Sequence, residues 1–391
     1  MATYEHLRRD PSTQVLFNNR IRTLEGLQGI LQNHAFIALD TEHVPVESQR
    51  NRVLHQVGLA YIPTMAPHDP VARPNQGQPP RIESFYTENR LQSLTLNVNL
   101  NDQTRQDLIR YRGSIPNRRP SRFGCEYHID LENVELVIID FIQYFHCDPS
   151  MKLVLIGFEM PAEWTYLSRN FPGAIPHFTS WIDLRDIAKD IALAGDAPVR
   201  NIPGLLSMLH IFGYHWKNIK NLESPDRHGS ADNAGEDAVA TLAIAEALFS
   251  PENQAKLLHR QRCRQIARKG YVFNEDNITF GATIQSQTGI LPKPINSSIK
   301  LSKYFFGFKP ISIALKSTAL ALITFDSEER LNRFIQENHR RSLPTGETLL
   351  VMQVKTSEAE IAKREERHQL RETKKAEMLS NEFEGFGNIF E

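Results

Sequence analysis

Short apolar runs alternate with amphipathic segments along the first two thirds of the chain. The runs are typical of buried strands, and the segments, with apolar residues three and four positions apart, are typical of helices. Strands are predicted at 35–40, 53–62, 153–157 and 179–184, with a weaker signal at 95–100. Helices are predicted at 24–32, 131–145, 162–171, 187–194, 202–213 and 235–249. Strands that alternate with helices indicate an α/β fold in which helices flank a sheet.

A second pattern begins after residue 275. It predicts, after a poorly defined first strand, helices at 299–306 and 327–337 and strands at 311–315, 320–325 and 348–354. This order suits a small α+β domain of the ferredoxin type. The predicted organisation is an N-terminal extension (1–32), an α/β domain (33–250), a basic helical linker (251–275), a small α+β domain (276–356) and a charged tail (357–391). Within the α/β domain, the Pro-rich stretch 63–81 breaks all periodicity and is predicted to be an exposed, mobile insertion. The charged tail is also predicted to be mobile.

Composition narrows the classes of protein that this chain can represent. The 45 Lys and Arg balance 46 Asp and Glu, which excludes a polycationic coat for nucleic acid and leaves only a local basic patch. Three scattered cysteines favour neither a disulfide framework nor a zinc site. No signal peptide and no apolar stretch of membrane-spanning length stand out, so we expect a protein of the cytoplasm, the nucleus or both that does not enter a membrane.

Acidic residues follow the predicted strands in a suggestive order. Asp40 and Glu42 occupy alternate positions at the end of the first strand, so both side chains face the same side and can share hard divalent cations. Many strands simply end in acids, so the pair alone is also compatible with a structural role. Glu163 follows strand 153–157 at a helix start, and Asp237 lies in the first turn of helix 235–249.

This succession of acids resembles the DEDD superfamily of 3′–5′ exonucleases, whose fold is ribonuclease-H-like. More narrowly, the chain is similar to a fungal group of DEDDh-type proteins that includes an Argonaute-interacting exonuclease and proteins linked to mRNA export. The blocks that carry the resemblance are FIALDTEH (36–43), LVLIGFEMPAEWTYL (153–167), IPGLLSMLHIFGY (202–214) and DNAGEDAVATL (232–242). The resemblance implies a role in RNA metabolism such as RNA silencing, with Argonaute-type or mRNA-export proteins as candidate partners.

The resemblance also implies a two-metal site for Mg²⁺ or Mn²⁺ and hydrolysis of RNA or single-stranded DNA. The implied metal ligands are Asp40, Glu42, Glu163 and Asp237. Glu163 departs from the family pattern, which has Asp there. Asp232 stands where the family has the His that takes the proton of the attacking water, and it joins the candidate catalytic set as an additional ligand.

These two departures leave two functions open. The longer side chain of Glu163 and the loss of the His base are compatible with a slow or conditionally active exonuclease, in which His228 is a candidate replacement base. The alternative is a catalytically inactive pseudo-nuclease that keeps the fold as a module for binding nucleic acid or protein. The resemblance does not extend to the C-terminal domain.

An arginine-rich stretch, 105–122, is the candidate nucleic-acid surface. Tyr111 and Phe123 are interleaved with its arginines, so a loop there could hold phosphates and stack bases beside the cleft. The candidate nucleic-acid-binding residues are Arg112, Arg118, Arg119 and Arg122. A solvated insertion whose arginines pair with local acids is the alternative.

The C-terminal domain resembles an RNA-recognition motif in its order of elements. Leu320 and Leu322 stand where the stacking aromatics of such a motif are expected. We therefore expect a structural or protein-binding role there instead of base stacking.

Overall fold

The computed structural model describes two compact units, residues 1–258 and 259–391. The described residues are 9, 11–47, 52–65, 81–116, 118, 120–148, 150–214, 233–272, 280–354 and 373. Asp232, His228 and Arg119 lie outside them, as do most of 63–81 and all of the tail except residue 373. No helix within the described ranges is long and apolar enough to cross a membrane.

The first unit contains a seven-stranded sheet. Its strands are β1 (Arg20–Ile21), β2 (His34–Pro45), β3 (Arg52–Ile62), β4 (Gln92–Asn99), β5 (Cys125–Asp130), β6 (Lys152–Gly157) and β7 (Ser180–Asp183). Its helices are α1 (Pro11–Asn18), α2 (Leu24–Gln28), α3 (Ile82–Glu88), α4 (Asp102–Arg112), α5 (Leu131–Phe145), α6 (Met160–Asn170), α7 (Leu184–Ala194), α8 (Leu205–Phe212) and α9 (Ala234–Ala247). The division between the units falls inside α10 (Pro251–Val272).

The sheet is mixed, with the strand order β1-β7-β6-β2-β3-β4-β5. Strands β2, β3 and β4 pair antiparallel, and the remaining neighbours pair parallel. As a result the carboxyl ends of β2, β4, β5, β6 and β7 all lie at one edge of the sheet. The expectation of an α/β fold with helices on a sheet is confirmed.

Helices cover both faces of this sheet. In β2, Phe36 and Ala38 face the side of α9, whereas Ile37 and Leu39 face the side of α5 and α6. Both sets are fully buried, which is why the strand has a continuous apolar run without polar alternation. Nearly every residue of α9 is buried too, so this helix is apolar around its whole circumference.

Helix α4 (Asp102–Arg112) covers the first part of the stretch 105–122, which the sequence predicts as an arginine-rich loop. Asn101 caps its first turn by accepting a hydrogen bond from the Thr104 amide at 2.8 Å, and Gly113, at φ 77°, ends it. Only Leu108 on this helix is buried, and a helix with one buried position leaves no apolar periodicity to detect. Helices α1 and α3 and strand β5 were not predicted either.

The second unit has its own core and a four-stranded antiparallel sheet of order β11-β8-β10-β9. Its elements are β8 (Phe280–Ser286), α11 (Ser298–Tyr304), β9 (Ser312–Leu315), β10 (Leu320–Phe325), α12 (Glu328–Asn338) and β11 (Leu349–Gln353). The rings of Phe305, Phe325 and Phe334 pack together under the sheet. The separate, smaller α+β unit is therefore confirmed, and β8 supplies its first strand.

Candidate functional site

Three carboxylates of the first unit converge at the carboxyl end of β2. One oxygen from each of Asp40, Glu42 and Asp237 lies within 4.8 Å of the others, and all three residues are half-buried. No other such acidic, His or Cys group of three occurs among the described residues. Like charges at this separation repel one another, and a hard divalent cation is the natural counter-charge for three carboxylate oxygens.

The geometry of β2 accounts for the first two members of the carboxylate cluster. Asp40 and Glu42 continue the even-numbered side of the strand, the side on which Phe36 and Ala38 pack against α9. The register places Asp40 opposite Gly58 and Glu42 opposite Gln56 on β3. A bulge follows directly after Glu42 and shifts the register, so that His43 pairs with Leu54.

Two glycines allow α9 to approach closely enough for Asp237 to join the cluster. A Cβ atom on Gly58 would lie 2.0 Å from the carbonyl carbon and oxygen of Ala234, at the start of the helix. A Cβ atom on Gly235 would lie 2.0 Å from the Thr95 hydroxyl oxygen on β4. Glycine in a strand often marks such a close approach of another backbone.

Buried amide side chains then fix the start of α9. Asn233 caps the helix by accepting a hydrogen bond from the Glu236 amide at 3.0 Å. The Gln56 Oε1 atom accepts a hydrogen bond from the Ala234 amide at 2.8 Å, and its Nε2 atom donates to Asn97 Oδ1 at 2.9 Å. Each of these polar side chains is satisfied, and the network therefore sets the rotation of the helix that points Asp237 at the carboxylate cluster.

Glu163, the fourth predicted ligand, lies beside the cluster and not within it. Its carboxylate accepts a hydrogen bond from the Thr41 hydroxyl at 2.5 Å, and Thr41 points to the opposite face of β2 from Asp40. Burial raises the pKa of Glu163 to about 8; the hydrogen bond from Thr41 opposes this rise, and the charge of Glu42 adds to it. Without a cation, the Glu163 side chain is therefore mostly protonated at neutral pH.

A cavity of about 200 Å³ connects Glu42 with Glu163. Its wall also includes Arg52 and the ring of His43, which stacks on Tyr166. Burial lowers the pKa of His43 to about 3, so the imidazole is neutral and only weakly basic at neutral pH. His43 directly follows Glu42 in the sequence, but its low pKa makes it a poor acceptor for the proton of an attacking water.

Two further acids near the start of α6 serve local structure. Glu159 adopts a left-handed backbone conformation before α6, and its side chain pairs with Arg185. Asp183 accepts hydrogen bonds from the amides of Arg185 at 3.0 Å and Glu159 at 3.2 Å, which caps α7 and holds the turn before α6. Neither belongs to the carboxylate cluster.

The predicted nucleic-acid-binding arginines have different surroundings. Arg122 pairs at 2.9 Å with Glu236, a fully buried residue in the first turn of α9, and at 3.2 Å with Glu83. Arg112 donates to the Pro45 carbonyl at 3.2 Å, and Arg118 donates to the Val98 carbonyl at 2.6 Å. Arg122 thus has a structural partner of its own, whereas Arg112 and Arg118 form only single bonds to the backbone among the interactions described.

Sequence reasoning missed the residues that support the site. The sequence pattern placed them in predicted strands without assigning them a role at the site; they are Gln56, Gly58, Thr95 and Asn97. Their signal was nevertheless present: a polar residue or glycine at alternate positions inside two apolar runs marks one strand face that does not pack against apolar neighbours.

No family model matches the chain, and no curated protein matches it. The fold and the carboxylate cluster are therefore the basis for any functional conclusion.

Proposed function

We propose that this chain is a divalent-metal-dependent 3′–5′ exonuclease of the ribonuclease-H-like class, acting on RNA or single-stranded DNA. The observation that carries the proposal is the convergence of Asp40, Glu42 and Asp237 at the end of a central strand. These are three of the four ligands that the sequence resemblance implies. Asp40 and Glu42 are neighbours on one strand face, but Asp237 is far from them in sequence, and only the fold brings it to the pair.

The architecture supports this proposal. A mixed sheet flanked by helices is the arrangement of the ribonuclease-H-like fold, and the carboxylate pair stands at the carboxyl end of a central strand, where ligands of α/β sheets commonly bind. For the second unit, the element order β-α-β-β-α-β and the antiparallel sheet suit a ferredoxin-like domain related in outline to RNA-recognition motifs.

The donor set fits the implied cations. Three carboxylates offer hard oxygen ligands, which suit Mg²⁺ or Mn²⁺, and no thiol or imidazole belongs to the cluster. Asp40, Glu42 and Asp237 would hold the metal, and Glu163 would have to lose its proton and turn from Thr41 to join them. Bound cations would activate water and stabilise the charge that develops on the phosphate. The Gln56 and Asn233 network would keep Asp237 oriented during turnover.

One observation favours a second candidate, a pseudo-nuclease that binds nucleic acid or protein without hydrolysis. Glu163 is buried, bonded to Thr41 and protonated at neutral pH. A fourth ligand in that state weakens the second metal position on which two-metal hydrolysis depends. The fold and the three-carboxylate cluster would then remain without full catalytic competence.

Calorimetric Mn²⁺ titration and a strand-degradation assay test the proposal together. Wild-type protein should bind Mn²⁺ and shorten a 5′-labelled single strand from its 3′ end in Mg²⁺ or Mn²⁺. Asp40→Asn and Asp237→Asn keep the shape of the side chains but remove a charge, so both should lose most of the metal binding and all of the degradation. Glu159→Gln is the matched control, because Glu159 is a nearby acid outside the cluster.

The outcomes separate the candidates. Metal binding that depends on Asp40, together with degradation, supports the exonuclease. Metal binding without degradation supports the pseudo-nuclease. A wild-type protein that binds no Mn²⁺ overturns the metal-dependent proposal, as would equal losses in Glu159→Gln and Asp40→Asn.

A further inference from the structure

A second cavity, of about 360 Å³, opens at the same edge of the sheet as the carboxylate cluster. Its polar wall consists of Asn99, Arg105, Arg118 and His128. Asn99 ends β4 and His128 lies on β5, and both strands run parallel to β2 in the sheet. No residue of the carboxylate cluster lines this cavity, so it is a separate feature of the first unit.

Strand register relates this arginine cavity to the carboxylates. Glu42 pairs with Gln56, Gln56 with Asn97, and Asn97 with His128, so the four residues form one row across β2, β3, β4 and β5. Directly paired residues share a face of the sheet. With strands about 4.8 Å apart, His128 lies roughly 14 Å from Glu42 along that row. A short single strand can span such a distance.

Helix α4 joins the two places. Its buried Leu108 packs with Val44 and Val46 at the end of β2, and Arg112 in its last turn donates to the Pro45 carbonyl. Arg105, about two turns before Arg112 on the helix, lines the arginine cavity. The helix therefore holds Arg105 in a fixed relation to the strand that carries Asp40 and Glu42.

Two guanidinium groups line this cavity and no carboxylate belongs to its lining, although Asp130 lies at its edge and accepts a hydrogen bond from the Asn99 Nδ2 atom at 2.8 Å. Within the described ranges Arg105 forms no ion pair, and Arg118 is held by its bond to the Val98 carbonyl. Burial lowers the pKa of Arg118 and the charge of Arg105 lowers it further, while Glu126 acts in the opposite direction. Neighbouring like charges are destabilising by themselves, and a bound anion with several oxygens would offset the repulsion.

We propose that the arginine cavity binds a backbone phosphate of a single-stranded nucleic acid whose 3′ end reaches the carboxylate cluster. Arg105 and Arg118 are its cationic ligands, and the His128 ring lies beside them, whereas the Asn99 Nδ2 atom already donates to Asp130 Oδ1. Arginine suits this task because its planar fork can donate two hydrogen bonds to one phosphate. The assignment of the ligand as nucleic acid rests on the proposed function, because it uses the position of the carboxylate cluster.

Fluorescence anisotropy with a labelled oligouridylate, in EDTA so that no hydrolysis occurs, tests the proposal. Arg105→Gln and Arg118→Gln should each lower the affinity about five- to tenfold at low salt and flatten the dependence of log K on log salt by about 0.7. Arg110→Gln is the matched control, because it removes the same charge from an exposed position of the same helix outside the cavity. Arg105→Lys keeps the charge and should recover most of the slope.

Arg105 is the primary test, since Arg118→Gln also removes a bond to the backbone and could disturb folding. Equal effects of Arg105→Gln and Arg110→Gln would overturn the cavity as a phosphate site. Binding of a labelled phosphoserine peptide in place of the oligouridylate, with the same dependence on Arg105, would overturn nucleic acid as its ligand.

The same protein in Mg²⁺ separates the two proposals. Asp40→Asn should lose degradation and keep binding that depends on Arg105. If wild type degrades nothing but binds through Arg105, only the exonuclease fails. If it degrades the strand and Arg105→Gln behaves as wild type, only the arginine cavity fails.

Discussion

Glu163 shows how the surroundings of one residue change its chemistry. The same carboxyl group would be ionised at neutral pH on the surface, but burial holds its pKa at about 8. The side chain is long enough to reach Thr41 on the far face of β2, and this contact takes it away from Asp40. The extra methylene of Glu relative to Asp thus affects the position of the Glu163 carboxyl group as well as the length of the side chain.

Stability in the absence of metal should therefore depend on pH through Glu163. The folded state keeps the proton between pH 4.5, the ordinary value, and about 8, so this residue's favourable contribution is complete below pH 4.5 and is lost as the pH rises to 8. The Gln side chain of Glu163→Gln cannot ionise. Between pH 5 and pH 9 this variant should therefore lose less unfolding free energy than the wild type, by on the order of 2–4 kcal/mol. Urea unfolding in EDTA measures the difference. If the unfolding free energies of wild type and Glu163→Gln depended on pH in the same way, Glu163 would not be protonated at neutral pH in the folded protein.

The ion pair between Arg122 and the buried Glu236 indicates a structural role for Arg122. Glu236 is fully buried, so removing its guanidinium partner leaves a carboxylate poorly compensated inside the protein. Arg122→Met should destabilise the first unit by about 3 kcal/mol. Glu83→Gln, which removes only the half-exposed partner of the same arginine, should change stability by less than about 1 kcal/mol. Comparable losses from both substitutions in chemical unfolding would count against a structural role centred on Glu236.

At the scale of elements, the contact between α9 and β3 decides whether the site forms. The helix start rests on the backbone of Gly58, which is paired with Asp40 in the next strand. The same approach brings Asn233 and Asp237 over the sheet. The carboxylate cluster is therefore a product of helix–sheet packing as much as of the carboxylates themselves.

Substitution of Gly58 should consequently impair both stability and metal binding. In Gly58→Ala the new methyl group would meet the Ala234 backbone, which cannot move as a flexible side chain can, so we expect a loss of about 2–3 kcal/mol. The displaced helix start should weaken Mn²⁺ binding as well. Gly204→Ala is the control, because a Cβ there meets nothing within 4 Å. Thermal unfolding and Mn²⁺ calorimetry check both effects, and unchanged Mn²⁺ affinity in a destabilised variant would refute the positional argument.

At the scale of the whole molecule, each of the two sheets packs against hydrophobic core residues of its own unit. Each of the units 1–258 and 259–391 buries its own apolar side chains. Trp164 and Trp181 are buried in the first unit, and the sequence has no tryptophan in 259–391, so intrinsic tryptophan fluorescence does not report on the second unit. The carboxylate cluster and the arginine cavity are also formed entirely within the first unit.

A core substitution in the second unit tests whether the site is independent of it. Phe334 is fully buried against Phe305, Phe308 and Phe325, so Phe334→Ala should destabilise the second unit by about 3–5 kcal/mol. Hydrogen exchange should rise in 280–354, while tryptophan fluorescence and Mn²⁺ affinity remain those of wild type. A parallel loss of Mn²⁺ binding would show that the two units are coupled.

The local sequence alone determined the α/β class, most strands and helices of both units, and the pairing of Asp40 with Glu42 on one strand face. Period-two and period-3.6 patterns report directly on burial, and burial is a local consequence of which side chains are apolar. Helix α4 and strand β5 escaped because they bury too little to leave a pattern; Leu108 is the one buried residue of α4.

Only the tertiary structure decided which distant residues meet. Strand register set Asp40 beside Gly58, the fit of α9 on that glycine brought in Asp237, and the same fold directed Glu163 to Thr41, Arg122 to Glu236 and Arg105 toward Arg118. A shift of one residue in register would turn each strand side chain to the other face, and local composition does not encode that choice. The sequence shows which residues are acidic or basic, whereas the contacts between segments far apart in the chain determine which of them interact.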